Sequence, residues 1–234
     1  MKLIRLVPVS FICFWILSNY ANAQNFQFSL GRNQTDYHLV NTNGQPVDYL
    51  KPSNGMHLKA GYHKLFLDTL ALQLSSPEKA LQYSQRPILA KLLSVLSYSI
   101  SAQMMQLNAI GDVQQIPLRY ETDYAGVEVG IGAKLKIKKL VGIRVQGVIS
   151  GNKLLYGSQL AGNNYYLLKG NEQFDGIKFL KGFQVDISTQ INPSTEFVFG
   201  YGQYSSLNSS SANTGNFDLT TQTISMGLTF RINK

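Results

Sequence analysis

The side chains best able to do chemistry here are three histidines, His38, His57 and His63, and a scatter of charged residues that alternate with apolar ones. His57 and His63 are six positions apart, so an extended strand puts them on one face. At about 3.3 Å per residue they would stand roughly 20 Å apart, too far to share a metal ion. His38 follows Asp36 in a polar stretch and could pair with a distant serine. In a chain this rich in serine such a triad can always be drawn, and a solvated histidine is the simpler reading. Gly126, Gly130 and Gly132 could suggest a phosphate-binding loop, but they alternate along a strand-like segment with no helix after it. The single cysteine, Cys13, lies in an N-terminal apolar segment, which leaves no thiol or disulfide chemistry beyond it. The expectation is a protein that is not an enzyme and has no cofactor, no metal site and no catalytic residues.

The charged set points elsewhere. Glu128, Lys134, Lys136, Arg144, Asp186 and Arg231 each occupy a polar position between apolar neighbours. In Val127–Ile137, the residues Val127, Val129, Ile131, Ala133, Leu135 and Ile137 share one face, while Glu128, Gly130, Gly132, Lys134 and Lys136 share the other. The next stretch opposes Val141, Ile143, Val145 and Ile149 to Gly142, Arg144 and Gln146. Near the C-terminus Ile224, Met226, Leu228, Phe230 and Ile232 alternate with Ser225, Gly227, Thr229 and Arg231. Strands oily on one face and polar on the other suit a transmembrane barrel, with lipid outside and polar side chains inside. In a barrel of about eight strands the interior barely holds side chains. The six charges are therefore expected to face the lumen and pair across it as a network that prevents an open pore, the alternative being a narrow selective conduit. On that reading Arg144→Ala combined with Arg231→Ala raises conductance in planar bilayers.

About eight strands of this kind can be read along the chain. Phe26–Leu30 is one; Leu58, Ala60, Tyr62 and Phe66 line another. Leu96, Tyr98, Ile100, Ala102 and Met104 line a third, opposite Ser97, Ser99, Ser101 and Gln103. Phe183–Ile191 and Phe197–Tyr204 form a hairpin through the turn Asn192-Pro193-Ser194-Thr195. Long polar connections near residues 34–55, 108–121, 151–176 and 207–218 alternate with short turns at 138–139 and 192–195, as expected when loops project outward and turns face the periplasm. Residues 68–93 break the rule. Ser76-Pro77-Glu78 resembles a helix start, and a partly helical insertion near 76–93 is read as a packed plug or a surface for a periplasmic partner. Tyr156, Tyr165, Tyr166, Tyr201 and Tyr204 are read as interfacial anchors, with Tyr165-Tyr166 as a ligand platform the alternative.

The first 23 residues read as a secretory signal: Lys2 and Arg5, an apolar core from Leu6 to Leu17, then the small-x-small site Ala21-Asn22-Ala23. That divides the chain into a cleaved leader, 1–23, and a barrel domain, 24–234. Without Lys2 and Arg5 the 21 basic residues become 19, against 13 acidic ones, and they are dispersed rather than clustered. That speaks for anionic lipid and against nucleic acid. Only 15% of residues are charged although just 44% are hydrophobic, a balance that fits a surface facing partly lipid and partly water.

Leu96-Ser97-Tyr98-Ser99-Ile100, Tyr120–Ile131 and the ending Gly227–Ile232 resemble the outer membrane β-barrel domain proteins common in Bacteroidetes, over about Gln24 to Ile232. The resemblance implies an all-β, single antiparallel up-and-down transmembrane barrel in the cell outer membrane. The partners it implies are outer membrane lipid and the barrel assembly machinery; any extracellular or periplasmic partner stays open. It supplies no activity and no catalytic residues. Phe230 is followed by Arg231-Ile232-Asn233-Lys234 rather than ending the chain, a departure from the usual aromatic terminus. The expected role is structural or interactive, or limited passage of small solutes. The rivals are a soluble exported barrel holding an apolar ligand, and a membrane-barrel enzyme acting on lipid or peptide.

Overall fold

A computed structural model describes residues 24–39, 49–67, 87–113, 115–137, 140–207 and 217–232. Residues 1–23, read as a leader, residues 76–86 of the expected helical insertion, the turn residues Lys138 and Lys139, and residues 208–216 of the last long connection lie outside the described residues. The elements are β1 (Gln24–Leu39), β2 (Leu50–Leu65), α1 (Pro87–Val95), β3 (Leu96–Gln106), β4 (Ala109–Val113), β5 (Ile116–Lys136), β6 (Val141–Ala161), β7 (Asn164–Leu167), α2 (Glu172–Asp175), β8 (Ile177–Asn192), β9 (Thr195–Ser206) and β10 (Phe217–Ile232).

Eight strands close into a ring. Each of β1, β2, β3, β5, β6, β8, β9 and β10 pairs antiparallel with the next, and β10 returns to β1 over the register Gln24↔Ile232 to Leu39↔Phe217. Closure leaves the ring no free edge, so its backbone donors and acceptors are satisfied internally, as a lipid environment demands. No described helix is long and apolar enough to cross a membrane; crossing here is by strands.

β4 continues the line of β3 after a break at Leu107 and Asn108, and is held between Leu50–Pro52 of β2 and Ile116–Tyr120 of β5. The break is bridged by bonds. The Leu107 N–H donates to the Thr122 carbonyl (2.8 Å), and the Asn108 side chain donates to the Asn54 carbonyl (2.9 Å). A bulge at Leu155 shifts the register between β5 and β6 at Asp123/Tyr124. At the other end of the barrel the β8–β9 turn closes through Asn192 Oδ1, which accepts from the Ser194 N–H at 2.9 Å. Pro87 opens α1, a position where a missing N–H costs nothing. The Leu67 N–H donates to the Leu93 carbonyl near its end, and α1 lies at the rim beside β2 and β3.

Close strand approach explains two inward glycines. A Cβ on Gly132 would meet the Val145 carbonyl oxygen at 2.0 Å, and one on Gly227 the Phe28 oxygen at 2.1 Å. These are positions where the backbone needs glycine.

Polarity reverses along the barrel axis. In the lower part, near the short turns, Phe28, Leu30, Val129, Ile131, Val145, Ile187, Phe199, Met226 and Leu228 face outward and are exposed, while Gln27, Lys59, Glu128, Arg144, Gln184 and Asp186 are buried inside. Moving up, the outward position on each strand turns polar at nearly one level: Arg32, Asn54, Gln106, Asp123, Lys153, Lys181, Gln203 and Gln222. Above that ring the interior becomes apolar, with Tyr37, Leu50, Leu107, Tyr120, Leu154, Phe174 and Leu219 buried together. Aromatic pairs sit near both borders of the oily band: Phe26 on Tyr62 (5.2 Å) and Phe66 on Tyr98 (5.4 Å) below, Phe183 with Tyr201 (6.2 Å) above.

Several expected loops are strand. β1 runs on to Leu39, β2 starts at Leu50, and residues 109–113 and 116–121 are paired. These extensions stand above the oily band, where outward residues are mixed, Asp36 and Arg119 beside Ile110 and Ile116, so the period-2 signal fades although the ladder continues. His38 accordingly lies in β1 rather than in a loop.

Candidate functional site: the barrel lumen

The lower lumen is built by the inward positions of six strands. Lys59 Nζ on β2 donates to Glu128 Oε1 on β5 (2.8 Å) and to Gln184 Oε1 on β8 (2.5 Å). Gln184 Nε2 donates in turn to Asp186 Oδ1 (2.8 Å), and Gln146 Nε2 of β6 to Gln184 Oε1 (3.0 Å). Arg144 Nε reaches Asp186 Oδ2 at 3.0 Å, its Nη2 contacts the same oxygen, and Nη2 also donates to Gln27 Oε1 of β1 at 2.5 Å. Ser99 of β3 donates to Gln146 Oε1 (3.1 Å). Two cations and two anions, each almost fully buried, thus cancel within one connected network. Paired and hydrogen-bonded, the charges are tolerable in a space that excludes water.

The six charges named from sequence part company here. Glu128, Arg144 and Asp186 belong to the network. Lys134 lies lower, paired to Glu196 at 2.9 Å. Lys136 and Arg231 are exposed at the lower mouth and do not reach the network. Parity put all six on the inward side; height on the strand decides which of them are enclosed. Lys59, Gln27, Gln184 and Glu196 were missed, though each sits on an inward position. Lys59 could have been found, since it alternates with Leu58, Ala60 and Tyr62.

Above the network the lumen is stoppered by packing. Phe174 of α2 stacks on Tyr120 (5.8 Å between ring centroids, 14° between planes), and Tyr124 Oη donates to the Phe174 carbonyl at 3.1 Å. Tyr37 Oη donates to the Leu107 carbonyl at 2.5 Å. Tyr204, expected as an interfacial anchor, instead points inward and is 1% exposed. Phe197, Phe199 and Tyr201 fix the outward parity of β9, and the space over Gly202 receives the Tyr204 ring: a Cβ there would meet it at 2.9 Å. Tyr201 stays outward. Tyr156, Tyr165 and Tyr166 stand exposed on the extension above the polar ring, with the Tyr156 and Tyr165 hydroxyls in contact.

Burial pushes the Tyr120 phenol up to about 12, and that of Tyr37 further still. Both lie above the oily band. A group whose folded pKa is raised contributes stability that is intact below its unfolded value, near 10, and lost as pH rises through the folded value. The upper core will therefore loosen between about pH 10 and 12, before the lower ladder opens. Tyrosine ionisation followed at 295 nm, with amide exchange resolved by segment, checks this. Full ionisation near pH 10 with no loosening would refute it.

His57 and His63 are buried on the inward face of β2, on either side of Lys59. His38 Nε2 stands 3.8 Å from Asp36 Oδ2 on the exposed outer face of β1. Among the described residues no three metal-binding side chains gather.

The closed ring, oily outside and polar inside at one level, defines an eight-stranded transmembrane β-barrel. No family model matches the sequence. No curated protein sequence matches it. In three dimensions the chain is similar to Neisserial surface protein A (TM-score 0.44, 10% identity, covering 89% of this chain and 97% of that one). It is also similar to Ail, the attachment invasion locus protein of Yersinia pestis (0.41, 11%, 90% and 100%), and to the outer membrane protein OprG of Pseudomonas aeruginosa (0.41, 8%, 91% and 98%). With TM-scores below 0.5, the fold class rests on this chain's own strand pairing and on the polarity of its two faces.

Proposed function

We propose that this chain is an integral outer membrane β-barrel with a closed lumen, exported by a leader ending at Ala23, whose role is structural or interactive and is carried by its surfaces. The observation that carries this reading is the change of polarity along the axis: a charged, hydrogen-bonded interior inside the oily band, and above it an apolar interior under an exterior that mixes polar residues with exposed Leu, Ile, Phe and Tyr. The lower half is thereby matched to lipid and the upper half to water. The resemblance to Bacteroidetes barrels, the outer membrane lipid and the assembly machinery belong to the same reading.

Its rivals ask for other features. An internal apolar ligand needs a cavity of about 300 Å³ or more, whereas the cavity lined by Gln27, Lys59, His63 and Arg144 is about 10 Å³, room for a single water. A lipid- or peptide-cleaving barrel needs a nucleophile or activated water beside a base; His38 with Asp36 is a lone exposed pair.

Envelope fractionation and electrophoresis of boiled against unboiled protein test the membrane reading. The expected result is outer membrane recovery with a mobility shift on heating, because a closed barrel resists detergent until it is heated. A soluble protein with no shift overturns it. Steady ion conductance by the purified protein overturns the closed lumen alone.

A further inference from the structure

Below the charge network the lumen ends in a vestibule of about 70 Å³ lined by Lys134, Lys136, Ser188, Glu196 and Arg231. Glu196 is engaged by Lys134, and neither Lys136 nor Arg231 has an acidic partner among the described residues. Three cations against one carboxylate leave an excess of two positive charges facing one small space. Gly142 forms its back wall: a Cβ there would meet Ser188 Oγ at 2.9 Å and stand 3.6 Å from Lys134 Cε. Any larger residue would fill the recess. The network stops it from above, so whatever enters leaves the way it came.

We propose that this vestibule binds a phosphate dianion or phosphomonoester. The excess charge matches a dianion, where a carboxylate would neutralise half of it. The guanidinium fork of Arg231 meets two oxygens of a tetrahedral group at once, and the lysine ammoniums act as point charges, while the Ser188 hydroxyl is held by Glu196. At about 10–15 Å³ per water on this measure, the vestibule holds several waters, enough room for one such anion. Free phosphate and the headgroup of a phosphorylated lipid offer the same chemistry. The inference rests on the membrane-barrel reading only for which side the mouth faces, and binding in detergent does not depend on that side.

The test is calorimetric titration of the full-length barrel, refolded in neutral detergent, with inorganic phosphate and separately with micelles doped with phosphatidic acid. Wild type is compared with K136Q/R231Q and with K153Q/K181Q, which removes the same charge from the upper polar ring; heat-dependent mobility confirms that each variant is folded. Saturable phosphate binding, at least tenfold weaker in K136Q/R231Q and unchanged in K153Q/K181Q, supports the site with free phosphate as its ligand. The same pattern with phosphatidic acid alone supports it with a lipid headgroup. Absence of saturable binding to either probe, or equal weakening in both variants, overturns it.

Discussion

Arg144→Met will lower the free energy of unfolding by about 3–5 kcal/mol, the usual cost of removing one partner of a buried ion pair. Among the described residues Asp186 would keep only the Gln184 amide, at 2.8 Å, as a donor, and the Gln27 carbonyl would lose its bond to the guanidinium. A carboxylate 3% exposed cannot recover that loss from water. Urea titration of the refolded barrel, followed by far-UV circular dichroism, measures the effect; the only tryptophan, Trp15, precedes the barrel strands, in the proposed leader. The paired replacement R144M/D186L should regain most of the loss, since no unpaired charge remains. Lys134→Met is the internal control: its partner Glu196 is 20% exposed, so water can replace the ammonium and the cost should be about 1 kcal/mol or less. Equal, small effects at both sites would mean that the enclosed network holds nothing together.

The network's place in the fold follows from closure. A strand slipped by one residue would turn its oily face inward and its charges to lipid, so register in the band is strongly specified. A slip of two preserves the faces but separates partners: Lys59 would leave Glu128, and Arg144 would leave Asp186. The pairs therefore distinguish between registers that the hydrophobic pattern treats as equal. The apolar core above does this less sharply, because Tyr, Leu and Phe side chains tolerate displacement better than a bonded pair.

Period-2 alternation made the barrel legible wherever outward residues touch lipid, because only there do the two faces differ in the simplest way. Val127–Ile137 and Ile224–Ile232 showed both face and orientation. Where β1 and β5 rise past Arg32 and Asp123, outward positions turn polar while inward ones mix Asn33, Thr35 and Thr122 with Tyr37, Leu118 and Tyr120, and in β6 and β7 both faces carry Leu and Tyr. Alternation then weakens or inverts, which is why paired backbone at 34–39 and 116–121 read as loop. Glu128, Arg144 and Asp186 were found by parity alone. Lys136 and Arg231 have the same parity, but parity carries no information about height, and enclosure depends on height. The Tyr204 ring could have been placed from the spacing Gly200-Tyr201-Gly202, since two inward glycines leave room for one large inward neighbour. The seal made by Phe174 with Tyr120 and Tyr124 joins segments 50 or more residues apart, and local sequence does not encode that meeting.

That seal decides how the barrel will behave toward ions. R144A/R231A will remain non-conducting in planar bilayers, although the charge network is damaged. Arg231 stands outside the network, and the apolar layer from Tyr37 to Leu219 still blocks the path above it. The two layers act in series, so the less permeable one governs. An ion crossing packed Leu, Tyr and Phe side chains must shed its water with no replacement partner, at a cost of several kcal/mol or more. Replacing residues 168–175 with a Gly-Ser segment removes Leu168 and Phe174 from that layer and leaves the eight-stranded ring intact. Alone, this change should also stay silent, because Lys59, Glu128, Arg144 and Asp186 still fill the lower lumen. Combined with R144A/D186A it should give discrete conductance steps. Steps from R144A/R231A alone would show that the upper layer is no barrier. Silence from the combined variant, with folding confirmed by the heat-dependent shift in mobility, would place the block somewhere other than these two layers.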